Sequence, residues 1–231
     1  YEFNYFPNNH SFDQQFKGLY SGQIIGKHEF NNDAAHIDWS TGFSTTFRNQ
    51  PDYKRYRSDL DTTTGEVALF IPIGNAQPDF LGRFFSEMNE YLISANVNFS
   101  YKIGYNKSKT FVPIFYSGLT AERKDRSFNA RNMGFIRVPQ FDQTLLSSTI
   151  DELFDEANIN NTTGVKLDEQ TNPSDSYDAN TLLIAPYAKI ELPIKKLKVV
   201  AGLRYEYFVQ NLSSADFTDR PIEVNRPNNF V

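Results

Sequence analysis

Cysteine is absent from all 231 residues, which excludes a disulfide framework and any thiolate metal site. Histidine is scarce: His10, His28 and His36 are the three. They are scattered without metal-ligand spacing and without a partnered serine, so nothing recommends nucleophilic or metal-assisted catalysis. Long apolar runs are missing too. The densest, Val67 to Ile73, falls far short of the roughly 20 residues a spanning helix needs, which excludes a bundle of transmembrane helices. Positive charge is in deficit, 23 Lys plus Arg against 28 Asp plus Glu, for a net charge of −5. A duplex nucleic-acid binder would show a basic face, so that class is set aside. No glycine-rich loop could cradle a phosphate; Gly18, Gly22 and Gly26 instead share one face of a strand, spaced for close packing at a wall. The Asp-rich stretch Asp151 to Asp178 supplies hard oxygen ligands, but Asp168, Glu169, Asp175 and Asp178 fit no compact calcium loop. The inventory reads as a non-enzyme without a cofactor. The chain opens at Tyr1 with no basic, apolar leader, and reads as processed or as an excerpt.

Aromatic residues, by contrast, are abundant: 21 Phe and 13 Tyr make 15% aromatic with the single Trp, too rich for a disordered chain. They recur with a period of two. Tyr91, Ile93, Ala95, Val97, Phe99 and Tyr101 fall on one side of an extended segment, with Leu92, Ser94, Asn96, Asn98, Ser100 and Lys102 on the other. The same alternation runs from Ile37 to Arg48 and from Leu197 to Phe208. Phe16 to Phe30, Thr110 to Arg126 and Thr181 to Ile194 complete a set of about six strands, with Pro113, Pro186 and Pro193 expected at bulges or strand ends. Lys17, Lys27, Glu29, Lys189, Glu191, Arg204 and Glu206 give the opposite face mixed charge.

The connections alternate in length. Asn31-Asn32-Asp33, Gly104 to Ser108 and Ile194-Lys195-Lys196 read as tight turns, whereas Asn49 to Glu87 and Ser127 to Asn180 read as long loops. Short turns at one end and long loops at the other are the habit of outer-membrane barrels. Strand length agrees. Tyr91 to Tyr101 spans about 33 Å, and a tilt of about 40° reduces this to the roughly 25 Å of a barrel's apolar band. The expected fold is therefore all-β, an antiparallel up-and-down transmembrane β-barrel segment. Six strands are too few to close such a barrel, so residues 1–231 are expected to form one arc of a larger one.

Three stretches carry a family resemblance. The first is the run from Glu122 to Arg131, with Lys124, Asp125, Arg126, Phe128, Asn129 and Arg131. The second runs from Glu169 to Ala179, with Asn172, Pro173, Asp175, Tyr177 and Asp178, and the third from Val199 to Glu206. In this order they resemble the barrel of TonB-dependent outer-membrane receptors, particularly those of the Bacteroidetes. The resemblance covers most of Phe16 to Gln210, without the plug, the energy-coupling box or the terminal strand. Since such a barrel has about 22 strands, the chain would supply roughly a quarter of it. The resemblance implies a multi-pass protein of a Gram-negative outer membrane. It implies energised import of a siderophore, vitamin, oligosaccharide or peptide, with lipid, a plug domain, a TonB-type coupling protein and a surface lipoprotein as partners. Lys124, Arg126 and Arg131 are the ligand-facing candidates at the loop-side rim; the alternative is a rim ion-pair network with loop acids such as Asp175 and Asp178. A small self-contained outer-membrane barrel with a structural or adhesive role is a second reading. A soluble ligand-binding barrel is a third.

Overall fold

The computed structural model describes residues 5–104 and 111–227. Strand accounts for 68% and helix for 7%, so the chain is all-β. Eleven strands form one antiparallel sheet: β1 (Tyr5–Phe12), β2 (Phe16–Phe30), β3 (Ala35–Asp61), β4 (Val67–Leu69), β5 (Leu81–Lys102), β6 (Ile114–Arg137), β7 (Val165–Glu169), β8 (Tyr177–Ile194), β9 (Leu197–Arg204), β10 (Tyr207–Ala215) and β11 (Pro221–Pro227). Among the described residues one short α-helix, α1 (Ile150–Leu153), joins them as more than a 3-10 turn.

The eleven reduce to an up-and-down meander. β1 and β2 line the same edge of β3, and β9 and β10 line the same edge of β8. Each pair is therefore one long strand with a break, and all six expected strands are present. The break between β9 and β10 has a cause in the opposite strand. Pro186 of β8 accepts from the Tyr205 N–H at 2.9 Å but has no N–H to return, so the ladder lapses at Tyr205 and Glu206. Pro113 lies just before β6 and Pro193 next to the end of β8, as strand-end prolines should. The Asn31-Asn32-Asp33 turn is made by three consecutive residues with φ of 57°, 50° and 69°, a conformation Asn and Asp tolerate best among side-chain-bearing residues. Lys195 turns the next hairpin, also at positive φ. The Gly104 to Ser108 turn falls mostly outside the described residues.

The long connections are shorter than expected. β3 continues past Asn49 to Asp61, β5 begins at Leu81, and β6 runs through the whole Glu122 to Arg131 run, beyond its expected end at Arg126. A register shift between Gln50 and Tyr53, at Pro51, interrupts the pattern. Beyond it Tyr53 and Tyr56 fall on opposite faces and charged residues on both, so the strand continues where its hydrophobic signature stops.

One face of this sheet changes character along its length. Odd-numbered residues of β5 and β6 share a face, and their register is continuous from Gly82↔Gly134 to Lys102↔Ile114. At the short-turn end that face is apolar and bare: Ile93 is 64% exposed and Val97 46%. At the loop end the same face is covered, with Leu81 at 2% and Phe135 at 7%. The covering is the segment 138–165, whose Val138, Phe141, Leu153 and Val165 form the hydrophobic core with Leu81 and Phe135. The core thus sits in a cap above the strands, not between two layers of sheet.

The opposite face is polar and internally bonded. Asn96 donates to Thr120 Oγ1 at 2.8 Å, and the Tyr187 hydroxyl donates to Asn98 Oδ1 at 2.8 Å across Gly118. The sheet is not closed among the described residues; β1 and β2 form one open edge, and β9 and β11 lie at the other. Among the described residues no helix is long and apolar enough to cross a membrane.

Candidate functional site

The first two of the three stretches turn out to be neighbours. Phe128 of β6 pairs with Tyr177 of β8, and Ser127 with Asp178, the Phe128 and Tyr177 rings lying 5.4 Å apart. Loop residues 170–176 are stitched to the end of β6: the Ala130 N–H donates to Ser176 Oγ at 3.2 Å and the Asn132 N–H to Thr171 Oγ1 at 2.8 Å. Asn172 and Pro173 open a single 3-10 turn, and Asp175 closes it by accepting the Asn172 N–H at 2.9 Å. Asn129 lies opposite Glu87 in the ladder.

The rim cations are drawn toward acids of neighbouring strands. Arg126 donates through Nε to Glu90 at 2.7 Å, and Lys124 Nζ lies 4.0 Å from the same carboxylate, whose side chain is largely enclosed. Asp125 accepts two bonds from Arg123 on the other face. Arg131 makes a two-pronged bond to Glu169 of β7, both arms 3.0 Å. That pair stands above the bare apolar band, and each partner stabilises the other's charge: the Arg131 guanidinium holds the Glu169 carboxyl below its usual range. A rim network is thus present, but its acids are Glu90 and Glu169, not Asp175 and Asp178. The reason is register. Glu90 stands directly across from Arg126, whereas Asp175 is committed to its own turn. Asp168 likewise accepts from the Ala76 N–H, so the loop acids are dispersed among structural tasks.

Sequence reasoning missed a second feature. A cavity of about 660 Å³ opens between the sheet and the cap, within the size range of small-molecule sites. Phe12, Tyr56, Phe135 and Phe154 supply apolar walls, and Lys54, Arg83 and Asp151 supply polar ones. Phe135 and Phe154 meet edge to face at 4.7 Å, and His10 stacks on Tyr56 at 4.5 Å. Arg83 is held by a two-pronged bond to Asp52, both arms 2.8 Å, which keeps the Asp52 carboxyl below its ordinary 3.8. The arrangement can accept an aromatic or amphipathic group whose polar end meets the Lys54, Arg83 and Asp151 side. No local motif marks it, because its walls come from β1, β3, β5, β6 and the cap.

Neither the protein-family models nor the curated proteins compared with this chain give a match. The functional reading therefore rests on the sheet, its rim and its cap.

Proposed function

We propose that this chain is part of the wall and extracellular loops of an energised outer-membrane receptor, a TonB-dependent transporter. One observation carries the reading: a single sheet face that the chain covers with its own cap at one end and leaves bare and largely apolar from Tyr91 to Tyr101, a height of about 25 Å at a strand tilt of about 40°. Leaving so much apolar surface in water is unfavourable, whereas a bilayer's hydrocarbon matches its height. Phe30 and Tyr101 stand near the short-turn end of the band and Tyr91 at the loop end, the placement of interfacial girdles. The polar opposite face suits a wet lumen that contacts a plug. The open edges support an arc of a larger barrel over a self-contained small one, since unpaired strand edges are costly in lipid. On this reading the cap and its cavity face the outside and meet the ligand first, and the short turns face the periplasm. Import is driven by a TonB-type protein acting on the plug, and a surface lipoprotein is the natural partner for the cap.

The test is uptake. Cells lacking the protein should lose accumulation of one scarce nutrient class among ferric chelates, corrinoids, oligosaccharides and peptides. A protonophore should bring the parent strain down to the same level. Uptake of that nutrient that persists unchanged with the protonophore would count against energised transport.

A further inference from the structure

The turn between β2 and β3 carries a second, separate group. Glu29 and His36 face each other directly across the hairpin, and the left-handed turn brings Asp33 beside them. One ligand-capable atom from each of the three lies within 4.8 Å of the other two.

The His36 ring gives this cluster its direction. Its Nε2 lies 3.0 Å from the Asp33 carbonyl oxygen, which can only accept, so the proton is assigned to Nε2. Nδ1 is then a bare lone pair, 3.8 Å from a Glu29 carboxylate oxygen. Two acceptors facing each other at that separation make no hydrogen bond. A cation placed between them would bond to both. An imidazole fixed through one nitrogen by a backbone carbonyl, with the other nitrogen free, is the arrangement that orients metal-binding histidines.

We infer that Glu29, Asp33 and His36 bind one divalent transition ion of the Zn²⁺ class, with water in the remaining positions. The nitrogen ligand argues against Ca²⁺ and Mg²⁺, which take oxygen ligands, and a set of one imidazole with two carboxylates suits borderline ions. Metal bonds of about 2.0–2.2 Å require the three groups to close in slightly. The exposed Glu29 carboxylate can do so by rotamer change while the paired backbone stays in place. Bound there, the ion would pin the turn to both strands. The site lies at the opposite end of the strands from the cap cavity and does not depend on the transport reading.

The experiment is equilibrium binding of Zn²⁺ to the purified, EDTA-stripped protein. One ion per chain is expected, at micromolar affinity or tighter. His36→Ala, Glu29→Gln and Asp33→Asn should each weaken it at least about tenfold, while His10→Ala, at the other end of the strands, leaves it unchanged. Cu²⁺ as a spectroscopic probe should show coupling to one nitrogen, lost in His36→Ala. Binding that survives His36→Ala at full stoichiometry and affinity would overturn the assignment. So would a wild-type protein that takes up no Zn²⁺ below about millimolar, the result expected if a proton on His36 fills the gap.

Discussion

Glycine acts in this chain through what lies opposite it. Gly18, Gly22 and Gly26 of β2 pair across the ladder with Phe47, Phe43 and Trp39, and each aromatic ring lies over its glycine. A ring covering an edge-strand glycine restores the packing the missing side chain forgoes. The expectation of close packing is met, and on the apolar face of the sheet. Gly82 faces a harder constraint. An added Cβ would lie 2.4 Å from the Pro78 oxygen and 2.6 Å from the Met133 oxygen, both backbone. Gly82→Ala is therefore expected to cost about 1–3 kcal/mol, as overpacking does. Gly22→Ala should cost less, because only the end of the Phe43 side chain must move. Thermal melting of the two variants in detergent gives the comparison. Equal losses would show that the rings over β2 are as immovable as backbone.

At the scale of elements, the cap behaves as a small domain stitched onto long strands. α1 starts at a capping box in which Thr149 Oγ1 accepts the Glu152 N–H and Glu152 accepts the Thr149 N–H. Asn160 organises the next turn by accepting three N–H groups through Oδ1, from Thr162, Thr163 and Gly164. Together they place Leu153, fully buried, against Phe135 and Val165. Leu153→Ala should destabilise the cap by about 2–5 kcal/mol. Hydrogen exchange is the measurement: faster exchange in 138–165 with unchanged protection in Tyr91 to Tyr101. Loss of protection in both would mean that cap and wall fold as one unit. Little of the cap was legible in the sequence. Its helix has four residues, too few for a 3.6-residue period to register, and its core joins residues nearly a hundred positions apart. The strands were legible wherever one face is apolar and the other polar, as from Tyr91 to Lys102. They became illegible past Gln50, where aromatic and charged residues fall on both faces and neither face is hydrophobic. The rim cations were found, but their partners were not, because Glu90 meets Arg126 only through the β5–β6 register. The Glu29, Asp33 and His36 group escaped for the same reason: it contains one histidine, and its geometry comes from the turn.

For the whole molecule, the question is what covers the bare half of the sheet. Alternation read from sequence cannot distinguish lipid from a protein core, and the structure adds that the chain itself covers only the loop-end half of that face. Val97 and Asn96 sit mid-band on opposite faces, with Asn96 bonded to Thr120 on the polar side. If lipid covers the apolar face, Val97→Arg should cost about 2–4 kcal/mol and Asn96→Arg much less. Burying arginine in a soluble core would also be destabilising, so stability alone does not decide. Site-specific labelling does, and the absence of native cysteine makes it clean. In the intact protein reconstituted in vesicles, a fluorophore on cysteine at position 97 should be quenched by a quencher carried on the lipid chains. A fluorophore at position 96 should be untouched by it. Equal protection at both positions, or quenching at position 96 alone, would contradict the outward assignment and the membrane reading with it.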